Sequence, residues 1–336
     1  MENRLTKICA IGATGMTCLL TYNIALADPS REFNPKLEFT YFEPNDNNTE
    51  GSLGIKYELD YGIQLGNPED QETNQPGVIS ARNNFYKINL FSKGNLPFKS
   101  DFQIGDFTET GIDLAWETVR VDVLTEPCRT DYCDERTPDN SFVFKLAGSY
   151  QFEADSEFDN KQHAYGLKMR AAYKIPARSQ LQLVNPLEWL PSVIRLMVGD
   201  GFAVGDNKRV TASAPLSNPW LPSVGLAVEQ IDPDKDDKRA AADPQLDTYD
   251  RLRLDLIYSS TLFEVGDQIY RASYTWRYFR EIGASEAIKA AGLERHRYST
   301  IAIHTPQNIV ISYSSGKLPF DLKSDDMFEL GWRFNF

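Results

Sequence analysis

The stretch Ser52 to Leu65 constrains the fold more than any other. Leu53, Ile55, Tyr57, Leu59, Tyr61, Ile63 and Leu65 alternate without a break with Gly54, Lys56, Glu58, Asp60, Gly62 and Gln64. Successive side chains of a strand point to opposite faces, so this segment has one apolar and one polar side. It is longer than the roughly 5–6 residues of a usual globular strand. The same period recurs at Phe142/Phe144/Leu146/Gly148/Tyr150/Phe152, Tyr165/Leu167/Met169/Ala171/Tyr173/Ile175, Leu252/Leu254/Leu256/Tyr258 and Tyr270/Ala272/Tyr274/Trp276/Tyr278. Weaker candidates are Leu37–Glu43, Asn83–Lys93, Phe98–Thr108, Ile112–Leu124, Val193–Val204, Ser223–Ile231, Tyr298–His304 and Gln307–Ser315. With Met327–Phe336 the expectation is about fourteen strands, with twelve to sixteen open.

Strands that cross a bilayer need about 9–11 residues, apolar toward lipid and polar toward the lumen. A soluble β-sandwich also alternates, but it leaves unexplained the long strands with Lys, Arg and Glu on the second face. Arg4 and Lys7 precede a largely apolar run that ends in Ala25-Leu26-Ala27 before Asp28, the pattern of a cleavable export signal. Gly15-Met16-Thr17 fits a lipid-modified Cys18 badly. The expected division is therefore a signal over 1–27 and a single all-β, antiparallel transmembrane barrel over 28–336. After the signal no run reaches the roughly 20 apolar residues of a membrane helix. The formal charge of −13 argues against a general nucleic-acid partner.

The last strand, Met327-Phe-Glu-Leu-Gly-Trp-Arg-Phe-Asn-Phe336, places Phe328, Leu330, Trp332, Phe334 and Phe336 on one face. It resembles the terminal strand of Gram-negative outer-membrane β-barrels, the porin- and channel-like class, which ends in Phe. That resemblance implies an outer-membrane location among lipids and lipopolysaccharide, and both termini in the periplasm. It also implies that Phe334 and Phe336 are read by the barrel-assembly machinery. Outer loops are then expected near 44–51, 94–97, 125–140, 177–191, 232–248, 283–295 and 316–325, and periplasmic ones at 66–81 and 205–221.

Strand parity lists the lumenal charges. Lys168, Arg170, Lys174, Arg251, Arg253, Arg271 and Arg277 are expected to point inward as a basic wall, joined less strongly by Arg120 and Arg195. Lys56, Glu58, Asp60 and Glu329 form a more acidic wall, and Arg333 shares the inward face of the last strand. Walls of opposite sign would orient dipolar or anionic solutes in a water-filled pore. The expected function is a channel or facilitator for small hydrophilic solutes, anionic ones among them. The alternative is a structural or adhesion barrel whose charges pair across an occluded lumen.

A lipid-modifying enzyme is a third reading. Barrel lipases and deacylases place His and Ser two apart on a strand. His163, His296 and His304 are followed at that spacing by Tyr165, Tyr298 and Pro306. No enzyme is expected, and no cofactor. Cys128 and Cys133, close together in an oxidising compartment, are expected to staple a loop as a disulfide. Asp232-Pro-Asp-Lys-Asp-Asp237 lacks the Gly and Glu of a calcium loop, so no metal site is expected. The alanine-rich stretch Glu281–Arg295 reads as a short helix over the barrel mouth. Two echoes, Asn185–Val193 with Asn218–Val224 and Gly94–Phe98 with Gly316–Phe320, are read as punctuation that ends a loop before a strand.

Overall fold

A computed structural model describes residues 31–45, 50–65, 73–75, 78–99, 107–124, 138–174, 186–188, 191, 193–194, 210–211, 221–265, 268–321 and 324–335. The alternating segments form β1 (Arg31–Pro44), β2 (Ser52–Leu65), β3 (Thr73–Gln75), β4 (Val78–Pro97), β5 (Thr108–Leu124), β6 (Pro138–Ala154) and β7 (Lys161–Lys174). They continue as β8 (Val210–Thr211), β9 (Ser223–Lys235), β10 (Tyr249–Val265), β11 (Gln268–Ile282), β12 (Arg295–His304), β13 (Ile309–Gly316) and β14 (Asp325–Asn335). Two short helices, α1 (Asp237–Ala242) and α2 (Glu286–Ala290), sit in the β9–β10 and β11–β12 connections. Each starts on a side-chain cap: Asp236 accepts from the Arg239 amide, and Ser285 accepts from the Ile288 amide.

Antiparallel neighbours pair in the order β1-β2-β4-β5-β6-β7-β9-β10-β11-β12-β13-β14, and β14 returns to β1 through registers such as Lys36↔Asn335 and Glu43↔Phe328. The sheet therefore closes on itself with twelve strands. The two short ones lie outside this ring, β3 on β4 and β8 on the far end of β10. Closure leaves no open edge, which a barrel in hydrocarbon requires.

Twelve is the lower bound of the expected range, and register explains the difference from fourteen. β4 and β5 pair continuously from Val78↔Leu124 to Gly94↔Thr108, so Phe98–Thr108 has no separate place in the wall. β7 pairs directly with β9, as at Lys168↔Ala227, which leaves no place for Val193–Val204. Val193 and Ile194 are helical, and 195–204 lie outside the described residues.

Losing the first of these strands moves every loop up to the second to the other end of the barrel. The strand ends joined by 125–137, and those joined by 175–222, share the end that carries Arg31 and Asn335. The expected outer placement of 125–140 and 177–191 is thereby corrected. Cys128 and Cys133 themselves lie outside the described residues, as do 1–30. The connections 45–51, 98–107, 155–160, 236–248, 283–294 and 317–324 gather at the opposite end.

Outward positions carry exposed Phe39, Leu53, Leu90, Leu114, Leu167, Val228, Ile301, Leu330 and Trp332. A soluble protein does not expose an apolar band of this extent. Aromatic pairs sit toward its rims, among them Phe39 with Phe334, Trp116 with Phe144, and Tyr150 with Tyr165. No helix among the described residues is long and apolar enough to cross a membrane.

Candidate functional site

The other side of each strand builds the lumen. Small inward residues, including Gly62, Ala115, Ala147, Ala164, Gly166 and Ala227, leave room for long charged neighbours. Near the end opposite the termini these neighbours interlock. Arg251 on β10 donates from Nη2 and Nη1 to Glu153 on β6, at 2.6 and 2.8 Å, and from Nε to Glu229 on β9 at 2.8 Å. Arg253 meets Glu109 at 3.2 Å and Asp255 at 3.0 Å. Both guanidinium groups lie over the Phe279 ring, at 5.1 and 5.4 Å from its centroid. Gln151 donates to Glu153 and Glu229, and Lys168 reaches Gln151 at 2.8 Å and Asp113 at 3.4 Å.

Loop residues cap this network. Phe107, Leu318 and Phe320 cluster with Phe279 against Tyr298. Phe320 holds a left-handed backbone (φ 75), fixed by the Leu318 amide donating to Asp321 Oδ2 at 2.6 Å. Arg239 of α1 makes a two-pronged bond to Glu281, at 2.7 and 3.0 Å, and covers the Tyr249 ring at 3.9 Å. Tyr249 donates to Gln162, which donates to Glu153. A hydrogen-bonded chain thus links the helix over the mouth to the ion pairs beneath it. Outside the membrane-spanning strands, burial pulls the Lys238 and Lys317 ammonium groups below their ordinary pKa.

Solvent reaches the lumen unevenly. Lys36 and Glu58, paired at 2.9 Å nearer the terminus-bearing end, keep 43% and 45% of their side-chain surface. Lys168 keeps 21%, while Arg251 and Glu153 keep 4% and 0%. The lumen is a wet vestibule that narrows to a dry, charge-paired seal. In the vestibule, Glu32, Asn34, Asp60, Gly62, Lys87, Asn89, Glu117 and Lys145 line a cavity of about 240 Å³.

The basic residues read from the sequence occupy three settings. Lys168, Arg251 and Arg253 are paired with carboxylates. Arg170 and Arg271 are exposed on inward positions of β7 and β11, while Arg277 and Lys174 share those faces partly buried. Arg120 does not belong with them. It stands in phase with Leu114 and Trp116 on the outward face, register-paired with Arg82 at the terminus-side rim, where a long cation can reach headgroups. Arg195 lies outside the described residues.

Glu58 pairs with Lys36, and Asp60 lines the cavity. Glu329 is fully buried against Lys56 and Ser312, and Arg333 holds Glu38 at 2.9 Å, so the β14–β1 closure carries its own ion pairs. Phe334 stacks on Trp332 on the outer surface, and Phe336 lies outside the described residues. Sequence reasoning missed the carboxylates Glu109, Asp113, Glu153, Glu229 and Asp255. Parity would have found Glu153, Glu229 and Asp255, which are in phase with Lys145, Ala227 and Arg253.

The structure also brings together histidine partners that are distant in sequence. Ser273 Oγ lies 2.8 Å from His304 Nε2, and Arg333 Nη1 lies 3.4 Å from His304 Nδ1. An arginine can only donate, so Nδ1 accepts and Nε2 carries the proton toward Ser273. That polarity is opposite to the one a general base needs. His163 joins Tyr150 at 2.8 Å and Asp234 at 3.4 Å on the outer face. Among the described residues no acidic, His or Cys side chains gather into a metal-ligating group, and Asp236 of the acidic loop serves as a helix cap.

The chain is a β-barrel of the outer-membrane class. Closure and the apolar outer band carry that statement. No family model matches the chain, and no curated protein does. Among solved structures it is similar to a KdgM porin (TM-score 0.29, 9% identity, 90% of this chain and 99% of that one). It is also similar to OmpF of Salmonella typhi in complex with daunomycin (0.33, 7%, 91% and 97%) and to OccK11 of Pseudomonas aeruginosa (0.26, 10%, 91% and 96%).

Proposed function

We propose that this outer-membrane barrel is a facilitator for small hydrophilic solutes, sealed at the end opposite its termini until loop elements move. The observation that carries the reading is the vestibule: a solvated lumen of two signs that leads to a seal built partly from loop side chains. Arg271 on β11 stands across the ring from Asp60 on β2 and Glu117 on β5, with Arg170 flanking on β7. Such opposed charges favour dipolar solutes and anions that can follow the basic side. In this reading residues 1–27 are removed on export and the termini face the periplasm. Phe334 and Phe336 direct assembly, and lipopolysaccharide surrounds the loop-bearing rim.

The occluded barrel is the second reading, favoured by the complete burial of Glu153 and its partners. Reversal potentials across a planar bilayer separate the two. Arg170→Glu with Arg271→Glu should shift preference toward cations if solutes use the lumen. Absence of current in both proteins at all voltages would leave only the occluded barrel.

A further inference from the structure

The vestibule cavity lies on one side of the lumen, and its chemistry is specific enough to name a ligand class. Its lysines are committed. Lys87 Nζ lies 3.1 Å from Glu32 Oε2, and Lys145 Nζ lies 3.4 Å from Asp113 Oδ2. Asp60, whose carboxyl hydrogen-bonds the Asn89 amide and the neighbouring Glu58, and Glu117 make no ion pair among the described residues, and both line the space. The amide of Asn89 on β4 comes between them, and that of Asn34 on β1 sits beside Asp60 on its other side; both can accept from or donate to a polar ligand.

The register explains the opening. Gly62 sits between Glu32 on β1 and Asn89 on β4, and a Cβ there would meet Lys87 Cε at 2.5 Å. The missing side chain gives Lys87 its path to Glu32 and leaves the floor of the cavity open. At about 240 Å³ the space falls below the roughly 300–1,000 Å³ of drug-sized sites. The two carboxylates come from separate strands, β2 and β5, with the Asn89 amide of β4 between them. They do not form a metal-ligating group, so the arrangement favours an organic cation over a bare ion.

We propose that this cavity binds the primary ammonium end of a small hydrophilic amine, with Asp60 and Glu117 supplying the charge and Asn34 and Asn89 the neutral hydrogen bonds. The proposal deepens the facilitator reading: an amino-acid-like zwitterion would leave its carboxylate on the lumen side, toward Arg170 and Arg271.

Titration calorimetry of the full barrel in detergent tests the site, with L-alaninamide as the cationic probe and succinate and glucose as comparators. L-Alaninamide should bind more tightly than either. Asp60→Asn with Glu117→Gln should weaken it at least tenfold. Gly62→Val, which alters no charge, should weaken it by filling the space. Arg170→Gln with Arg271→Gln, which removes positive charge from the same lumen, should not weaken it. Equal binding of glucose, or undiminished binding to both cavity variants, overturns the proposal. Binding without any bilayer current would sink the facilitator reading and leave the site standing.

Discussion

Arg251 of β10 and Glu153 of β6, three places apart around the ring, meet inside the lumen in a two-pronged ion pair of 2.6 and 2.8 Å, buried to 4% and 0% of their side-chain surface. Neither charge has water to fall back on, so each depends on the other. Removing one partner of a buried pair costs about 3–5 kcal/mol, because a charge is left uncompensated. Arg251→Met should therefore lower the temperature at which the folded band is lost on semi-native electrophoresis. Adding Glu153→Gln and Glu229→Gln should restore much of the loss.

The seal has a second tether above it. Arg239 fixes α1 to Glu281 by two bonds and stacks on Tyr249. Arg239→Ala should speed amide hydrogen exchange in residues 237–242 by at least about tenfold, the factor that corresponds to 1.4 kcal/mol. Arg239→Lys should restore protection only in part, since an ammonium cannot reproduce the fork.

Ser273 and His304 offer the geometry of a dyad with its polarity reversed by Arg333. Hydrolysis of a short-chain nitrophenyl ester should stay at background in the native protein and be unchanged by Ser273→Ala. A rate that falls in that variant would show that His304 does act as a base.

The barrel closes near Glu329 of β14, which is shared by Ser312 of β13 and by Lys56 of β2, reaching past β1. Glu329→Ala leaves the Lys56 ammonium without its partner in a part-buried position. Folding yield into vesicles should drop more than for Glu58→Ala, whose pair with Lys36 is solvated.

Much of this fold was legible because a barrel strand advertises itself by period two. Ser52–Leu65 and Tyr270–Tyr278 fell in phase with the structure. Phe98–Thr108 and Val193–Val204 misled because a few apolar residues beside a turn imitate a short strand, and only the ladder between neighbours shows whether the wall has room for it. The echoes Gly94–Phe98 and Gly316–Phe320 were misread for a related reason. Both lie at or just after a strand end rather than ahead of one, and Leu318 and Phe320 fold inward as part of the seal. Parity set Lys168, Arg251 and Arg253 apart from the lipid-facing residues. It gave no hint that carboxylates from β5, β6 and β9 would meet them, since cross-lumen distance depends on strand number and stagger. The Ser273–His304 pair was invisible for the same reason, being formed between strands.

The central claim is that the lumen is a solute path held shut by the ion-paired seal and by the loop side chains that cap it, Phe320 and Leu318 foremost. Single-channel recording in a planar bilayer, comparing the native barrel with Leu318→Ala plus Phe320→Ala, tests it most directly. Discrete currents that are small or rare in the native protein, and larger or longer-lived in the variant, are the predicted result. A variant that folds, by the electrophoretic shift, yet conducts no more than a silent native barrel would contradict the account.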